Sequence, residues 1–480
     1  MKTKYLYITS NSKLQTGVNV KDFNVSPKVI LIDLMVSSFG HTVRLLRLLQ
    51  YFRDNDVKNT IIVPLPKNTS NTLKEYITSR TQKLGNCLIV FHDIEQIDLN
   101  RAQNLIKEAG SKKHQKWIET QRNNYDMFSP VMTIMSSALL GCYFADKTSV
   151  NIGISEPAHV FPGCLDLIGI SPKITRKLKV LRPIFSQMMN MLLAKPLCKN
   201  LNHNARLAGM SERYTADTFL GQHALFNHII FPTTPLWDPL YDEEMVRSRI
   251  DYDYMGELFT NSDLRTYHTM EDQILKYKNN SKLVLLFLGG SIIREDEKYV
   301  EKFVKDVVLG VLKLNEDLKV LVVSPHCNIK KLDLRECDSN RVMVLDGFFP
   351  LQILLKYVEV IILFGGHGSL MECIRYKVSV ISLAINADQK IQSEKAEING
   401  IGYFPQRILP WKIEKRGDYF ESLPRSVKKI VRFCSVLLQK ENKIETLDIY
   451  KELKRFEKMQ PEIARKLILK YKYLFLRNKE

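Results

Sequence analysis

The sequence predicts a two-domain α/β protein with a parallel β-sheet in each domain. Two stretches, beginning at Lys28 and Leu283, each predict a buried apolar strand, then a glycine-containing turn and a helix. That order is the opening unit of a doubly wound fold, in which parallel strands alternate with helices. A chain of 480 residues exceeds what one hydrophobic core organises, so two domains are expected.

The composition indicates a soluble, basic protein. Hydrophobic residues make up 45% of the chain and charged residues 25%, and the formal net charge is +18, which suits phosphorylated ligands, anionic membrane surfaces or nucleic acid. Nucleic acid is disfavoured because no known binding module is present. Eight scattered cysteines without a C-x-x-C pair predict reduced thiols rather than disulfides or a zinc site. Without a secretory signal or a long apolar run, the expected location is the cytoplasm.

The first domain is predicted from alternating strands and helices. Residues 1–27 precede the first clear strand, and we assign them no function. A strand at 28–34 is followed by a helix that opens at His41. Further strands are predicted at 60–64, 86–91, 130–135 and 226–232, the last of the domain. Residues 252–259 are expected to lead into a polar linker at 260–282.

A basic segment interrupts this pattern. Between Asp166 and Glu212 there is no acidic residue, while eight lysines and arginines flank a methionine-rich apolar stretch at 184–194. Two interpretations stay open. The segment is either an amphipathic helix with a solvated basic face, or an acceptor-side or membrane-facing surface, because basic flanks around a flexible apolar face suit anionic lipid.

The most informative stretch runs from Asp346 to Gly402. It predicts a buried strand at 358–363, a glycine turn, a helix at 370–377 and a second buried strand at 378–383. A glycine turn lets the backbone approach an anion, and the helix N-terminus adds free N–H groups and positive dipole. Asp388 and Gln389 are predicted on the loop past the second strand, where ligands bind in open α/β sheets.

This stretch resembles the nucleotide-sugar signature of the UDP-glycosyltransferase family, which has the GT-B fold. Phe348 and the following Phe-Pro match its opening, where the family stacks uracil on an aromatic ring. The residues that fall on the rest of the motif are Gly365, Gly366, Ser369, Glu372, Asp388 and Gln389. The resemblance implies that Ser369 and the glycine turn, including Gly368, cradle the diphosphate. It further implies that Glu372 binds the ribose and that Asp388 and Gln389 hold the donor sugar.

Two positions depart from the family pattern, and one earlier pair matches it. Phe364 stands where the family has a phosphate-binding histidine, and Leu351 stands where it has a glutamine. His367, three places after Phe364, is our candidate for the hydrogen-bond donor to the phosphate that the family's histidine supplies.

Gly290 and Ser291 match the family's G-S pair, whose serine meets the phosphate of the sugar donor.

The resemblance also assigns a catalytic base. In the family, a histidine after the first strand deprotonates the acceptor hydroxyl, and His41 stands at that place. A neutral imidazole suits this role because its pKa lies near the working pH. The family's orienting aspartate is replaced by Ser136 and Ser137. Either one of these serines orients His41, an acid from elsewhere substitutes, or catalysis has been lost.

The resemblance implies two Rossmann-like domains that face each other across a cleft, with a C-terminal helix crossing back to the first. The expected boundaries are 1–265 for acceptor binding, 266–440 for the nucleotide sugar and 441–480 for the returning helices. The expected activity is inverting transfer of a hexose from a UDP-sugar to a hydroxyl of a small-molecule or lipid acceptor, without a metal or other cofactor. Peripheral contact with an anionic membrane is a further expectation. The alternative is a catalytically impaired GT-B protein that binds a nucleotide sugar or a partner, and GT-B epimerases and phosphorylases are a third possibility.

Overall fold

The computed structural model describes most of the chain. The described residues are 4–9, 13–17, 23, 25, 28–34, 39–95, 111–135, 147–157, 226–240, 246–258, 268–288, 297–324, 338–346, 349–406 and 416–475, with single residues and pairs between 184 and 223. The chain forms two compact units. The first comprises Met1–Cys164, Arg182–Thr260 and Arg455–Glu480, and the second comprises Leu165–Leu181 and Asn261–Lys454.

Strands and helices alternate through the described parts of both units. The strands are β1 (Lys4–Ile8), β2 (Leu14–Gly17), β3 (Val29–Asp33), β4 (Thr60–Leu65), β5 (Cys87–Phe91), β6 (Met132–Met135), β7 (Val150–Ile154), β8 (His228–Phe231), β9 (Tyr252–Tyr254), β10 (Lys282–Phe287), β11 (Leu318–Ser324), β12 (Val342–Asp346), β13 (Val360–Phe364), β14 (Ser379–Leu383) and β15 (Gly402–Tyr403). The helices are α1 (Phe39–Asp54), α2 (Asn71–Leu84), α3 (Lys112–Phe128), α4 (His268–Lys278), α5 (Glu297–Leu312), α6 (Leu351–Leu354), α7 (His367–Tyr376), α8 (Ala387–Ile398), α9 (Arg416–Gln439) and α10 (Asp448–Lys470).

The first unit contains a nine-stranded sheet in the order β2-β1-β5-β4-β3-β6-β7-β8-β9. The strands from β5 to β9 in this order pair in parallel, whereas β1 pairs antiparallel with β5 and with β2. The predicted doubly wound fold is therefore confirmed here. Strands β1 and β2, at one side of this sheet, lie within residues 1–27, where no strand was predicted. The sequence does not reveal them because the residues between them are polar and because Tyr5 and Tyr7 bury their rings against Phe23 rather than in an apolar run.

Helices cover both faces of this sheet. One face carries a single hydrophobic core that joins alternate strand residues, such as Ile30 and Ile32, to apolar side chains of α1, α2 and α10. Helix α3 lies on the opposite face. There Tyr125 donates a hydrogen bond to Thr133 Oγ1 on β6 (3.4 Å), and Trp117 packs edge-on against His92.

The second unit contains a six-stranded sheet, all parallel, in the order β12-β11-β10-β13-β14-β15. Helices α5 and α9 pack together on it through side chains such as Phe303 and Leu423. The stretch expected to be a polar linker contains helix α4, whose Lys278 donates to the Tyr357 carbonyl and to Glu359 (both 2.6 Å). Taken one at a time, the two units confirm the predicted fold class of two parallel-sheet α/β domains.

The C-terminal helix α10 is held on the first unit by a buried glutamine. Gln460 Nε2 donates to the carbonyl oxygens of Met255 (3.0 Å) and Glu257 (2.8 Å), and Gln460 Oε1 accepts from the Tyr51 hydroxyl (2.8 Å). Gly256, at φ +67°, allows this approach, because a Cβ there would lie 2.8 Å from Phe456 Cβ. Among the described helices, none is long and apolar enough to cross a membrane.

Gln460→Ala should lower the free energy of unfolding by roughly 1–3 kcal/mol, because two buried carbonyls and the Tyr51 hydroxyl each lose a hydrogen bond. Urea unfolding would measure the loss. Lys458→Ala, an exposed position on the same helix, is the matched control and should change stability little. Equal stabilities for the two variants would contradict the role of Gln460.

Candidate functional site

The turn after β13 exposes the start of helix α7. The helix begins at His367, three residues before the predicted Leu370, so the prediction of its start was wrong. His367, Gly368 and Ser369 therefore form the first helical turn. The N-cap is Gly366, which has no side chain to cap the helix. The first-turn N–H groups and the helix dipole are thus available to an anion.

The glycines of this turn have different tasks. A Cβ on Gly365 would lie closer than 3.0 Å to the hydroxyl oxygens of Ser382 and Ser393 and 3.1 Å from the Gln389 carbonyl. Gly365 is therefore required for close packing of β13, β14 and α8. Gly366 and Gly368 have no heavy atom within 4 Å of a built Cβ, so they leave open space over the helix N-terminus.

Glu372 lies further along α7 and is 9% exposed. Gln352 Nε2 on α6 donates to Glu372 Oε1 at 2.8 Å, and Arg375 Nη1 lies 3.9 Å from Glu372 Oε2. The carboxylate is thereby held in one orientation. Gln352 lies one position after Leu351, the residue that aligns with the family's glutamine. Allowing the family motif to shift by one residue along the sequence would have identified Gln352.

Phe364 and His367 are both buried. Phe364 is 5% exposed and belongs to the hydrophobic core of the second unit with Val360 and Ile362 from the same strand. The aromatic side chain at the place of the family's histidine therefore serves packing. His367 is 4% exposed at the helix start. Its role as the hydrogen-bond donor that replaces the family's histidine stays a prediction.

Asp388 and Gln389 do not lie on a loop, which corrects the sequence prediction. They form the first turn of α8, because Asn386 caps that helix by accepting from Gln389 N (2.9 Å). Gln389 is buried, and its Oε1 accepts from Ile385 N (3.0 Å), which holds the turn after β14. Asp388 is exposed. Since β13 and β14 are parallel neighbours, α7 and α8 begin at the same edge of the sheet.

Several predicted site residues lie outside the described residues. They are Gly290, Ser291 and Phe348 of the donor site, and Ser136 and Ser137 at the position of the orienting aspartate.

The first unit places His41 in the first turn of α1, half-buried. One turn later, the buried Arg44 pairs with two glutamates that sequence reasoning missed. Its Nε and Nη2 bond both oxygens of Glu257 (2.9 and 2.7 Å), and Nη1 bonds Glu156 (3.1 Å). Burial lowers the pKa of Arg44, but the two carboxylates raise it further, so the net shift is upward. The one available signal was that both glutamates come just after strands, Glu156 after β7 and Glu257 after β9.

Asp33 is a second titratable group that the sequence analysis did not single out. It ends β3 on the side of α3, and burial raises its pKa to about 7. Tyr125 lies close enough for the charge on Asp33, in addition to burial, to raise the pKa of the phenol. This carboxyl group is therefore poised to change protonation near neutral pH.

Comparisons with known proteins identify the fold. No protein-family model matches the chain, and no curated protein matches its sequence. Solved structures do match over nearly the whole length. UGT89C1 of Arabidopsis thaliana, complexed with UDP, has a TM-score of 0.58 at 13% identity, covering 94% of this chain and 100% of its own.

Two further solved structures are similar to this chain over nearly its whole length. A UDP-glucosyltransferase from Polygonum tinctorium that glucosylates indoxyl has a TM-score of 0.56 at 13% identity, covering 95% of this chain and 100% of its own. A UDP-glucose:anthocyanidin 3-O-glucosyltransferase in complex with UDP has a TM-score of 0.55 at 13% identity, with coverages of 92% and 99%. At such identities the likeness shows the fold, which is that of GT-B glycosyltransferases.

Gly365→Ala should destabilise the protein by roughly 1–3 kcal/mol, because the added methyl group overpacks the contact with Ser382 and Ser393. Gly366→Ala is the matched control, since its methyl group meets open space at a φ of −67°. Chemical denaturation would measure the free energy of unfolding of both variants. A Gly365→Ala protein as stable as Gly366→Ala would contradict the packing role.

Asp33 should make stability fall as pH rises. Its folded pKa of about 7 exceeds the ordinary value of 3.8, so above about pH 4 the unfolded chain releases the proton first. The free energy of unfolding then falls by about 1.4 kcal/mol per pH unit, until the pH passes the pKa of Asp33 in the folded protein. Asp33→Asn should therefore lose less stability than the wild type between pH 5 and pH 7 in urea unfolding. Glu119→Gln, on the exposed side of α3, should keep the wild-type slope. Identical slopes for Asp33→Asn and wild type would refute the assignment.

Proposed function

We propose that the protein is an inverting, UDP-sugar-dependent glycosyltransferase that transfers a hexose to a hydroxyl group of a small-molecule or lipid acceptor. The observation that carries the proposal is the start of α7. There an open glycine N-cap precedes the buried Glu372, which Gln352 orients, in a chain with the GT-B fold. The UDP named in the complexes of two similar structures fits an anion site of this kind.

In this proposal the donor binds at the edge of the second unit's sheet. The diphosphate meets the first-turn amides of α7, as in other helix N-terminal phosphate sites. Glu372 accepts hydrogen bonds from the ribose hydroxyls, and Asp388 holds the donor sugar while Gln389 braces the turn beneath it. Gly290, Ser291 and Phe348 take the roles that the resemblance implies, at the phosphate and the uracil. The arrangement requires no metal ion.

His41 is the proposed catalytic base. Its imidazole takes the proton of the acceptor hydroxyl as the acceptor oxygen bonds to the anomeric carbon. The bond from that carbon to the diphosphate oxygen breaks on the opposite face, so the configuration inverts and UDP leaves. Amides already in place at the diphosphate stabilise the charge that develops there without reorganising.

A second candidate is a catalytically impaired protein that binds a nucleotide sugar. The packing of Phe364 into the core favours this alternative. The end of β13 then lacks the imidazole with which the family binds the phosphate. Under this alternative UDP binds, but no UDP is released from a UDP-sugar in the presence of hydroxyl acceptors. Under the main proposal UDP is released with wild type and not with His41→Ala.

Saturating UDP should raise the melting temperature of the wild type. At 100 times the dissociation constant, a ligand adds about 2.7 kcal/mol to the native state. Each variant is compared with its own ligand-free protein. Glu372→Ala should lose most of the stabilisation, and Gly366→Ala should weaken it without lowering the ligand-free melting temperature. His41→Ala is the control that should keep the wild-type response. No stabilisation of the wild type by UDP would overturn the proposed donor site.

A further inference from the structure

We propose that one side of the C-terminal helix α10 docks on an anionic lipid surface. The inference goes beyond the proposed function and does not depend on it. It concerns the exposed side chains from Arg455 to Tyr473, which we call the basic face. All of them belong to the first compact unit.

Helix α10 has two sides of different character. On the inner side, apolar residues recur three or four positions apart and join the core of the first unit, as Phe456, Ile463 and Leu467 do. The helical period turns the residues between them to the outer side, where they are exposed. Gln460 anchors the inner side to the segment around Gly256. The outer side is therefore presented on a fixed support.

The basic face carries an excess of positive charge. Its exposed basic residues are Arg455, Lys458, Arg465, Lys466, Lys470 and Lys472. The one exposed acid of this stretch, which the structure describes completely, is Glu462. It pairs with Lys466 (2.8 Å), and Asp251 accepts from Lys470 (2.5 Å). Glu457, the other acidic residue of the stretch, is half-buried and interacts electrostatically with Tyr51 on α1. Two carboxylates thus offset only part of the charge of six cations.

Three large apolar side chains are exposed among these cations. Met459, Leu469 and Tyr473 are 39%, 52% and 57% exposed, and each stands next to a lysine in the sequence. A single exposed apolar residue is ordinary in a soluble protein, whereas here three share one basic surface. At a bilayer surface such side chains enter the headgroup region, while lysine stems extend their charges to the phosphates.

An anionic bilayer suits this combination better than other occupants do. A second copy of the chain would present the same positive charge and be repelled. Proteins that bind single-stranded nucleic acid stack bases on aromatic side chains, and Tyr473 is the one aromatic residue exposed on the basic face. Anionic lipid attracts the cations and also takes up Met459 and Leu469. Because the exposed residues follow one side of a helix, they can meet a flat surface together.

The first test is flotation of the full chain with lipid vesicles. The wild type should float with vesicles of phosphatidylcholine and phosphatidylserine at about 0.1 M salt, and salt of about 1 M should release it by screening the charges. Phosphatidylcholine alone should not bind it. Lys458→Gln combined with Arg465→Gln should weaken partitioning about thirtyfold, because each basic residue near an anionic surface contributes a roughly fivefold factor.

The matched control is Lys112→Gln combined with Lys116→Gln. These lysines are exposed on α3, on the opposite face of the sheet, so the control removes the same total charge from another surface. Its partitioning should equal that of the wild type. All variants replace exposed side chains and should keep the wild-type melting temperature.

A second variant tests the apolar part of the basic face. Leu469→Ser should weaken partitioning by roughly three- to tenfold, because about half of a leucine side chain no longer leaves water. Leu275→Ser is the matched control, since Leu275 is 47% exposed on α4 of the second unit, and it should bind as the wild type does. Unchanged partitioning of Leu469→Ser would overturn lipid as the occupant, because a purely ionic partner does not need the leucine.

The inference is also overturned if the wild type does not float with anionic vesicles, or if it binds labelled nucleic acid at the same salt concentration in preference to them. Met191, 55% exposed in the methionine-rich segment, offers a competing surface. Loss of flotation in Met191→Ser but not in the variant of Lys458 and Arg465 would assign the contact to that segment instead. No nucleotide or acceptor enters these measurements, so failure of UDP to stabilise the protein leaves their outcome unaffected.

Discussion

The architecture of the first unit depends on the burial of one guanidinium group. Removing Arg44 from water costs several kcal/mol unless its donors are satisfied and its charge is opposed. Two glutamates meet that demand, one just after β7 and the other just after β9. The positions of helix α1, the end of β7 and the end of β9 relative to one another are therefore fixed by this pairing. Glu257 in turn is presented by the segment that Gln460 holds, so the C-terminal helix takes part in the same constraint.

In the second unit the corresponding constraint is steric. Strand β13, strand β14 and helix α8 converge so closely at Gly365 that no side chain fits. This convergence places the starts of α7 and α8 at one sheet edge, with open space over Gly366 and Gly368. A glycine-rich motif therefore combines two physical roles. One glycine permits the close packing, and the others leave open space over the helix N-terminus.

The parallel strands could be predicted because strands buried on both faces leave uninterrupted apolar runs, as from Val360 to Phe364. Strands β1 and β2 could not be predicted in this way, since their residues alternate and include tyrosines and polar side chains. The start of α7 was misplaced because the glycines suggested a turn where the helix had already begun. Helix α8 was not predicted, since Asp388 and Gln389 were expected on a loop.

Glu372 and His41 emerged from local motifs. The partners of Arg44 could not emerge that way, because Glu257 lies 213 positions away and nothing local specifies the pairing. Gln352 was missed for a smaller reason, a shift of one residue in a short helix. Local motifs thus point to candidate site residues, while the buried pairs between distant residues become visible only in three dimensions.

The contact between Tyr51 and Gln460 spans 409 positions, and this has a consequence for biosynthesis. A nascent chain emerges N-terminus first at about 5–20 residues per second. The sheet of the first unit is therefore synthesised well before the helix that completes its apolar face. During that interval the second unit has all of its strands, while residues such as Ile463 and Leu467 are still missing from the core of the first. The part of the protein that is translated first is thus the last to be completed, and its uncovered surface is where chaperone engagement during translation is expected.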